Sequence, residues 1–121
     1  MKLLWTTIYV KNLEESITFY SDLLGLKVLR RFPAGPSMEI AFMGNGTDNE
    51  TLVELMTDKN SAVKHGESVV LGFAVNSIDK MLDTVNSKKI AVLNGPFETP
   101  ASRFFTIKDP NGLNIQFFQQ K

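Results

Sequence analysis

Glu54 and Gln116 each stand at the centre of a short apolar run, Leu52-Val53-Glu54-Leu55-Met56 and Asn114-Ile115-Gln116-Phe117-Phe118. These runs close what read as two similar halves of one chain. A polar group in mid-strand must face water, a partner or a cavity, since its desolvation is otherwise uncompensated. A carboxylate there can serve as a general base or a cation ligand, whereas the amide offers a neutral carbonyl oxygen. Val53 and Leu55 point away from Glu54, which therefore shares its face with Leu52 and Met56. That mixture of apolar and polar groups is typical of ligand cavities.

Other candidates for chemistry are few. The absence of cysteine removes thiol nucleophiles, redox switches and Cys-based zinc sites. The single histidine, His65, lies in the polar stretch Lys64-His65-Gly66, where a lone histidine is ordinarily solvated. It is still the one substitute metal ligand to weigh. Ser16, Ser21 and Ser37 have no base near them in sequence. Gly44-Asn45-Gly46 lacks the glycine and lysine pattern of a phosphate-binding loop.

The rest of the chain must position these groups. Its 121 residues, 43% hydrophobic, suit one domain or two small modules sharing a core. Lys plus Arg and Asp plus Glu number 13 each, so no net field draws the chain to nucleic acid or to an anionic membrane. The pairs Arg30-Arg31 and Lys88-Lys89 are too short to form a basic patch and read as solvated turns or strand ends. Met1 to Trp5 is too short for a secretory apolar region, and no long apolar stretch follows. A cytoplasmic protein with no nucleic-acid or membrane partner is expected.

Leu3 to Val10 reads as a strand. Asn12 with Glu15 resembles a capping box, Leu13, Ile17, Tyr20 and Leu24 recur at helical spacing, and Gly25 is placed to end that helix in the left-handed region. Leu26 to Phe32, Met38 to Met43 and Thr51 to Met56 read as further strands, interrupted by Pro33-Ala34-Gly35-Pro36 and by a loop from Gly44. After a polar stretch from Thr57 to Glu67 the order restarts. Ser68 to Val75 is a strand, Asn76 or Ser77 caps a helix bearing Ile78, Met81, Leu82 and Val85, and Ile90 to Leu93, Phe104 to Lys108 and Leu113 to Phe118 are strands. Asp109-Pro110-Asn111-Gly112 is a strong turn signal. An offset of 65 residues (77 − 12) superimposes Asn12 on Ser77, Leu13 on Ile78, Ile17 on Leu82 and Tyr20 on Val85. Each β-α-β-β-β copy alone would expose one sheet face, so two must pack or pair.

The opening strand, Val10-Lys11-Asn12-Leu13-Glu14-Glu15-Ser16-Ile17-Thr18-Phe19-Tyr20, Leu24-Gly25-Leu26 and Asp109-Pro110-Asn111-Gly112-Leu113-Asn114-Ile115 together resemble the vicinal oxygen chelate superfamily. It includes glyoxalase I, bleomycin-resistance proteins and extradiol dioxygenase-like proteins. The likeness covers nearly the whole chain. It implies an α+β fold of two βαβββ modules forming a curved mixed sheet around a cavity. The expected organisation is one domain, residues 1–121, with repeats at about 1–57 and 68–121 and a linker at 58–67. A homodimer is implied as well.

Metal-dependent members carry His or Glu at four positions, one near the start of the first strand and one in the last strand of each module. Here those positions read Trp5, Glu54, Val70 and Gln116, and Trp5 and Val70 again differ by 65 (70 − 5). Trp5 and Val70 offer no donor atom, and one carboxylate with one amide holds zinc or nickel poorly. No cofactor is therefore expected, the alternative being a weakly held divalent cation. Alternation places Trp5, Thr7 and Tyr9 toward the implied cavity, with Leu4, Thr6, Ile8 and Val10 toward the helices. Glu54, Met56, Val70, Gln116 and Phe118 join the cavity set, and Arg103 is a candidate for an anionic ligand group, although a strand-end arginine is ordinarily solvated. Of Phe104, Phe105, Phe117 and Phe118 some must be core, and Phe42 and Met43 share that ambiguity.

Aromatic walls with one carboxylate and one amide suit a planar or amphipathic organic ligand, a cationic one included, better than a phosphorylated one. The first expectation is a metal-free small-molecule binding protein. The alternative is a glyoxalase-like lyase or isomerase, of lactoylglutathione lyase type, using Glu54 as a catalytic base or weak metal ligand.

Overall fold

The computed structural model of the protein describes residues 3–47, 50–64, 66 and 68–121, and the chain divides into two compact units, Met1–Lys64 and His65–Lys121. His65 lies outside the described residues.

The first unit runs β1 (Thr6–Tyr9), α1 (Leu13–Thr18), a π-helical turn (Phe19–Leu23), β2 (Lys27–Pro33), β3 (Met38–Gly44) and β4 (Val53–Asp58). Its sheet has the order β1-β4-β3-β2, with β1 parallel to β4 and the other pairs antiparallel. Asn12 caps α1 as expected, its Oδ1 accepting from the Glu15 N–H at 2.9 Å. Leu13 and Tyr20 are buried beneath the helix, and Gly25 takes φ +76°, a conformation that costs glycine little. The helix widens after Thr18, where the Leu24 N–H bonds Phe19 O five residues back at 3.3 Å, a departure that its apolar spacing did not signal.

The helix-facing side of this sheet carries Ile8, Ala41, Met43, Val53 and Leu55, all buried. Alternation then puts Glu54 and Phe42 on the opposite side and assigns Met43 to the core. β1 is shorter than the sequence suggests, because Thr6 already pairs with Val53, the first residue of β4. Residues 3–5 have no ladder partner among the described residues, and Leu4, expected to face the helix, is exposed. Arg30-Arg31 lies inside β2, not at a solvated turn or strand end. The Arg31 guanidinium pairs with Glu14 of α1 and, at 2.9 Å, with Glu39 of β3, and the hydrogen bond it donates to Glu39 leads in holding its pKa above the usual arginine value.

The second unit repeats the plan with β5 (Val70–Ala74), α2 (Ile78–Ser87), β6 (Val92–Glu98), β7 (Ser102–Lys108) and β8 (Asn114–Gln120), in the sheet order β5-β8-β7-β6. Of the two possible caps, Ser77 is used, accepting from the Lys80 N–H at 3.2 Å. Ile78 and Val85 pack on Phe105, Ile107, Ile115 and Phe117 to make the core, with the Phe105 and Phe117 rings 5.1 Å apart. Phe104 and Phe118 take the other side. Asp109 organises the turn before β8, its Oδ1 accepting from the Asn111 and Leu113 N–H groups at 2.8 Å each.

β6 starts at Val92 and runs on to Glu98, past Leu93, where the sequence reading ends the strand. Proline is admitted because the register slips between Asn94 and Phe97, so no ladder N–H is demanded of it. Gly95 is required there: at φ +88° a Cβ would lie 3.0 Å from Phe104 O and 3.1 Å from Phe105 Cα. Among the described residues no helix is long and apolar enough to cross a membrane.

Candidate functional site

One row of residues crosses the open face of the first sheet. Thr7 of β1 sits beside Glu54 of β4, Glu54 beside Phe42 of β3, and Phe42 beside Arg30 of β2. Thr7 Oγ1 donates to Glu54 Oε1 at 2.7 Å. Glu54 is only 7% exposed, so this bond supplies a partner to a carboxylate largely withdrawn from water. The ring of Trp5 lies 5.3 Å from that of Phe42, and Phe32 meets Phe42 edge-on at 5.5 Å. Arg30 Cζ stands 4.9 Å from the Phe32 ring centre and 5.9 Å from that of Phe42. Tyr9 pairs with Met56 one row further along.

Trp5, Thr7, Tyr9, Glu54 and Met56 are thus brought to one face. Phe42 proves to belong with them, and Phe32 and Arg30 join unforeseen. The alternation Arg30-Arg31-Phe32 marks Arg30 and Phe32 as same-sided, but only the β2–β3 register brings them to Phe42.

The second sheet carries the corresponding row Gly72, Gln116, Thr106, Asn94. It is neutral throughout. Beside it runs the row Ala74, Phe118, Phe104, Phe97, with ring separations of 6.5 Å and 5.5 Å. Val70 shares this face with Gln116 and Phe118 by strand alternation. Arg103 does not. It lies on the α2 side, in two hydrogen bonds to Asp79 of 3.0 Å and 3.3 Å and 3.9 Å from Glu98. Those bonds hold the Asp79 carboxyl below the usual carboxylate range and the guanidinium above its own, so Arg103 ties the sheet to its helix and does not serve the open face.

A catalytic divalent cation needs imidazole, thiolate or carboxylate donors converging on one point. Of the four positions that the family pattern implies, Trp5 and Val70 have no donor, Gln116 has only an amide, and Glu54 already accepts from Thr7. Among the described residues no group of three His, Cys, Asp or Glu side chains could hold a metal. The residues do not fit the metal.

A separate cleft of about 490 Å³ opens at the C-terminal ends of β1 and β4, lined by Val10, Lys11, Thr57, Asp58, Lys59, Ser61, Ala62 and Val63. Its carboxylate is committed to the local turn, Asp58 accepting from the Asn60 N–H at 2.9 Å and the Ser61 hydroxyl at 3.2 Å.

Residues 2–117 match the model of the Glyoxalase/Bleomycin resistance protein/Dioxygenase superfamily. The chain belongs to that superfamily. A lactoylglutathione lyase of Neisseria meningitidis serogroup A is 30% identical to this superfamily member, over 100% of the chain and 92% of the relative. The solved glyoxalase I of Leishmania major, described as trypanothione-dependent, superposes with a TM-score of 0.81 at 25% identity, covering 98% of this chain and 86% of that one. An antibiotic-binding protein from a Streptomyces species superposes with a TM-score of 0.74 at 19% identity, over 100% and 97% of the two chains, and shares the fold. One superfamily fold thus carries both a catalyst and a binder.

Proposed function

We propose that this superfamily member binds a small aromatic or amphipathic organic molecule without a catalytic metal. The observation that carries the reading is the Thr7–Glu54 hydrogen bond beside the Trp5–Phe42 pair. A carboxylate already paired with a hydroxyl, on an aromatic floor where Trp5 stands in place of a metal donor of the family pattern, is built to orient an organic group. A homodimer in the cytoplasm belongs to the same reading, and sedimentation equilibrium tests the dimer.

Trp5, the only tryptophan, reports directly on the face. A panel of planar aromatic compounds and antibiotics is expected to contain members that change its fluorescence saturably, with the same members stabilising Trp5→Phe less than wild type in thermal shift. A panel with no such member removes this reading.

The likeness to lactoylglutathione lyases over the whole chain favours a second reading, a glyoxalase-like isomerisation with Glu54 as base. In it Glu54 removes a proton next to a substrate carbonyl and returns it to the neighbouring carbon. Formation of a lactoylglutathione-type thioester from a hemithioacetal, abolished in Glu54→Gln, would establish that reading over the first.

A further inference from the structure

We infer that Arg30 is the anion-recognising residue of the first unit's open face, and that the bound molecule is a planar aromatic acid whose carboxylate Arg30 holds. The inference rests on the binding function proposed above and narrows its ligand class.

Two adjacent arginines make the argument. Arg31 points to the helix side, where Glu14 and Glu39 take up its charge. Arg30 points the other way and lies against the rings of Phe32 and Phe42. Among the described residues no carboxylate or carbonyl is bonded to Arg30, so the rings place its guanidinium while leaving N–H groups for a ligand. A planar guanidinium presents a fork that matches a carboxylate through two parallel bonds, and aromatic contact limits the freedom lost when they form.

The rest of the row sets what lies behind that carboxylate. Phe42 separates Arg30 from Glu54, two strand spacings or roughly 10 Å between backbones. A flat ring system resting on Phe42 and Trp5 fills that interval, and a hydroxyl or N–H at its far end meets Glu54. The corresponding row of the second unit has Asn94 where the first has Arg30, and Gln116 where it has Glu54. Charge recognition is confined to one repeat. A neutral aromatic would leave Arg30 unused, and a cationic one would face it with like charge.

The test is calorimetric titration of the full chain with planar aromatic acids carrying a distal hydroxyl, 4-hydroxycinnamate among them, each beside its methyl ester. Acids are expected to bind at least about tenfold more tightly than their esters, as a charge-assisted pair implies. Arg30→Met should erase that difference, bringing acid affinity down to that of the ester. Arg30→Lys, which keeps the charge without the fork, should restore only part of it. Esters binding as well as acids, or Arg30→Met preserving the preference, would overturn the inference while leaving an aromatic-binding face intact. No binding of either form at millimolar concentration would overturn it together with the binding function.

Discussion

Thr7 Oγ1 and Glu54 Oε1 are joined by a 2.7 Å hydrogen bond across the parallel pair β1–β4. The bond links the strand that carries Tyr9 and follows directly on Trp5 to the strand that carries Glu54, the acidic candidate of the face. It supplies a protein donor to the carboxylate where a metal-dependent relative would supply a cation.

Removing the donor tests how much of Glu54's environment depends on it. Thr7→Val keeps the shape of the side chain but leaves a mostly buried acceptor without its partner, and is expected to cost about 1–3 kcal/mol in urea unfolding. Glu54→Gln retains an acceptor oxygen for the Thr7 hydroxyl and should change stability by less than about 1 kcal/mol. A large loss in Glu54→Gln would instead mean that the carboxylate anchors a wider buried polar network.

The donor set makes a second prediction. Calorimetric titration of the wild-type chain with nickel, zinc or manganese should show no site tighter than about micromolar. Tight, stoichiometric binding by the wild type would reverse the conclusion that the residues do not fit a metal.

Asp109 should matter more for stability than an exposed turn suggests. It is buried and accepts two 2.8 Å backbone bonds that launch β8, the strand bearing Gln116 and Phe118. Asp109→Ala is expected to lose about 2–3 kcal/mol, and Asp109→Asn, which keeps an acceptor oxygen, roughly half of that. Equal stability of Asp109→Ala and wild type in chemical denaturation would show that the turn forms without the carboxylate.

Acid sensitivity should trace to the exposed ion pairs of the second unit. The hydrogen bond from Arg103 lowers the Asp79 pKa, and the hydrogen bond from Lys121 leads in lowering that of Glu98. A carboxyl lowered on folding contributes stability that is present above its unfolded pKa and fades as pH falls through the folded one. Both groups are solvent-facing, so the contribution is modest and screened by salt. Between pH 7 and pH 3 the urea midpoint of Asp79→Asn should fall less than that of wild type, and parallel declines would remove Arg103–Asp79 from the account.

The repeated element order and both helix caps were legible in the sequence because each rests on local chemistry. Asn12 and Ser77 bond backbone groups three residues away, and the apolar spacing of Leu13 to Tyr20 and Ile78 to Val85 is a property of one helix. Strand alternation likewise separates Glu54 from Val53 and Leu55 without reference to any other segment. The family pattern could be read for the same reason, residue by residue. Strand ends were less legible, since a strand stops where its neighbour stops: β1 begins where β4 supplies Val53, and β6 passes Pro96 through a register slip set by β7.

What only the tertiary structure decided was which side chains meet. The sequence marked Arg30-Arg31 as a solvated pair and Arg103 as a candidate ligand contact. Pairing of β2 with β3 sent Arg31 to Glu14 and Glu39 and laid Arg30 on Phe32 and Phe42, while α2 placed Asp79 under Arg103. A charged side chain takes whichever partner the packed elements bring within reach, and Glu39 and Asp79, 8 and 24 residues from Arg31 and Arg103, sit on other elements, where no local spacing encodes the contact.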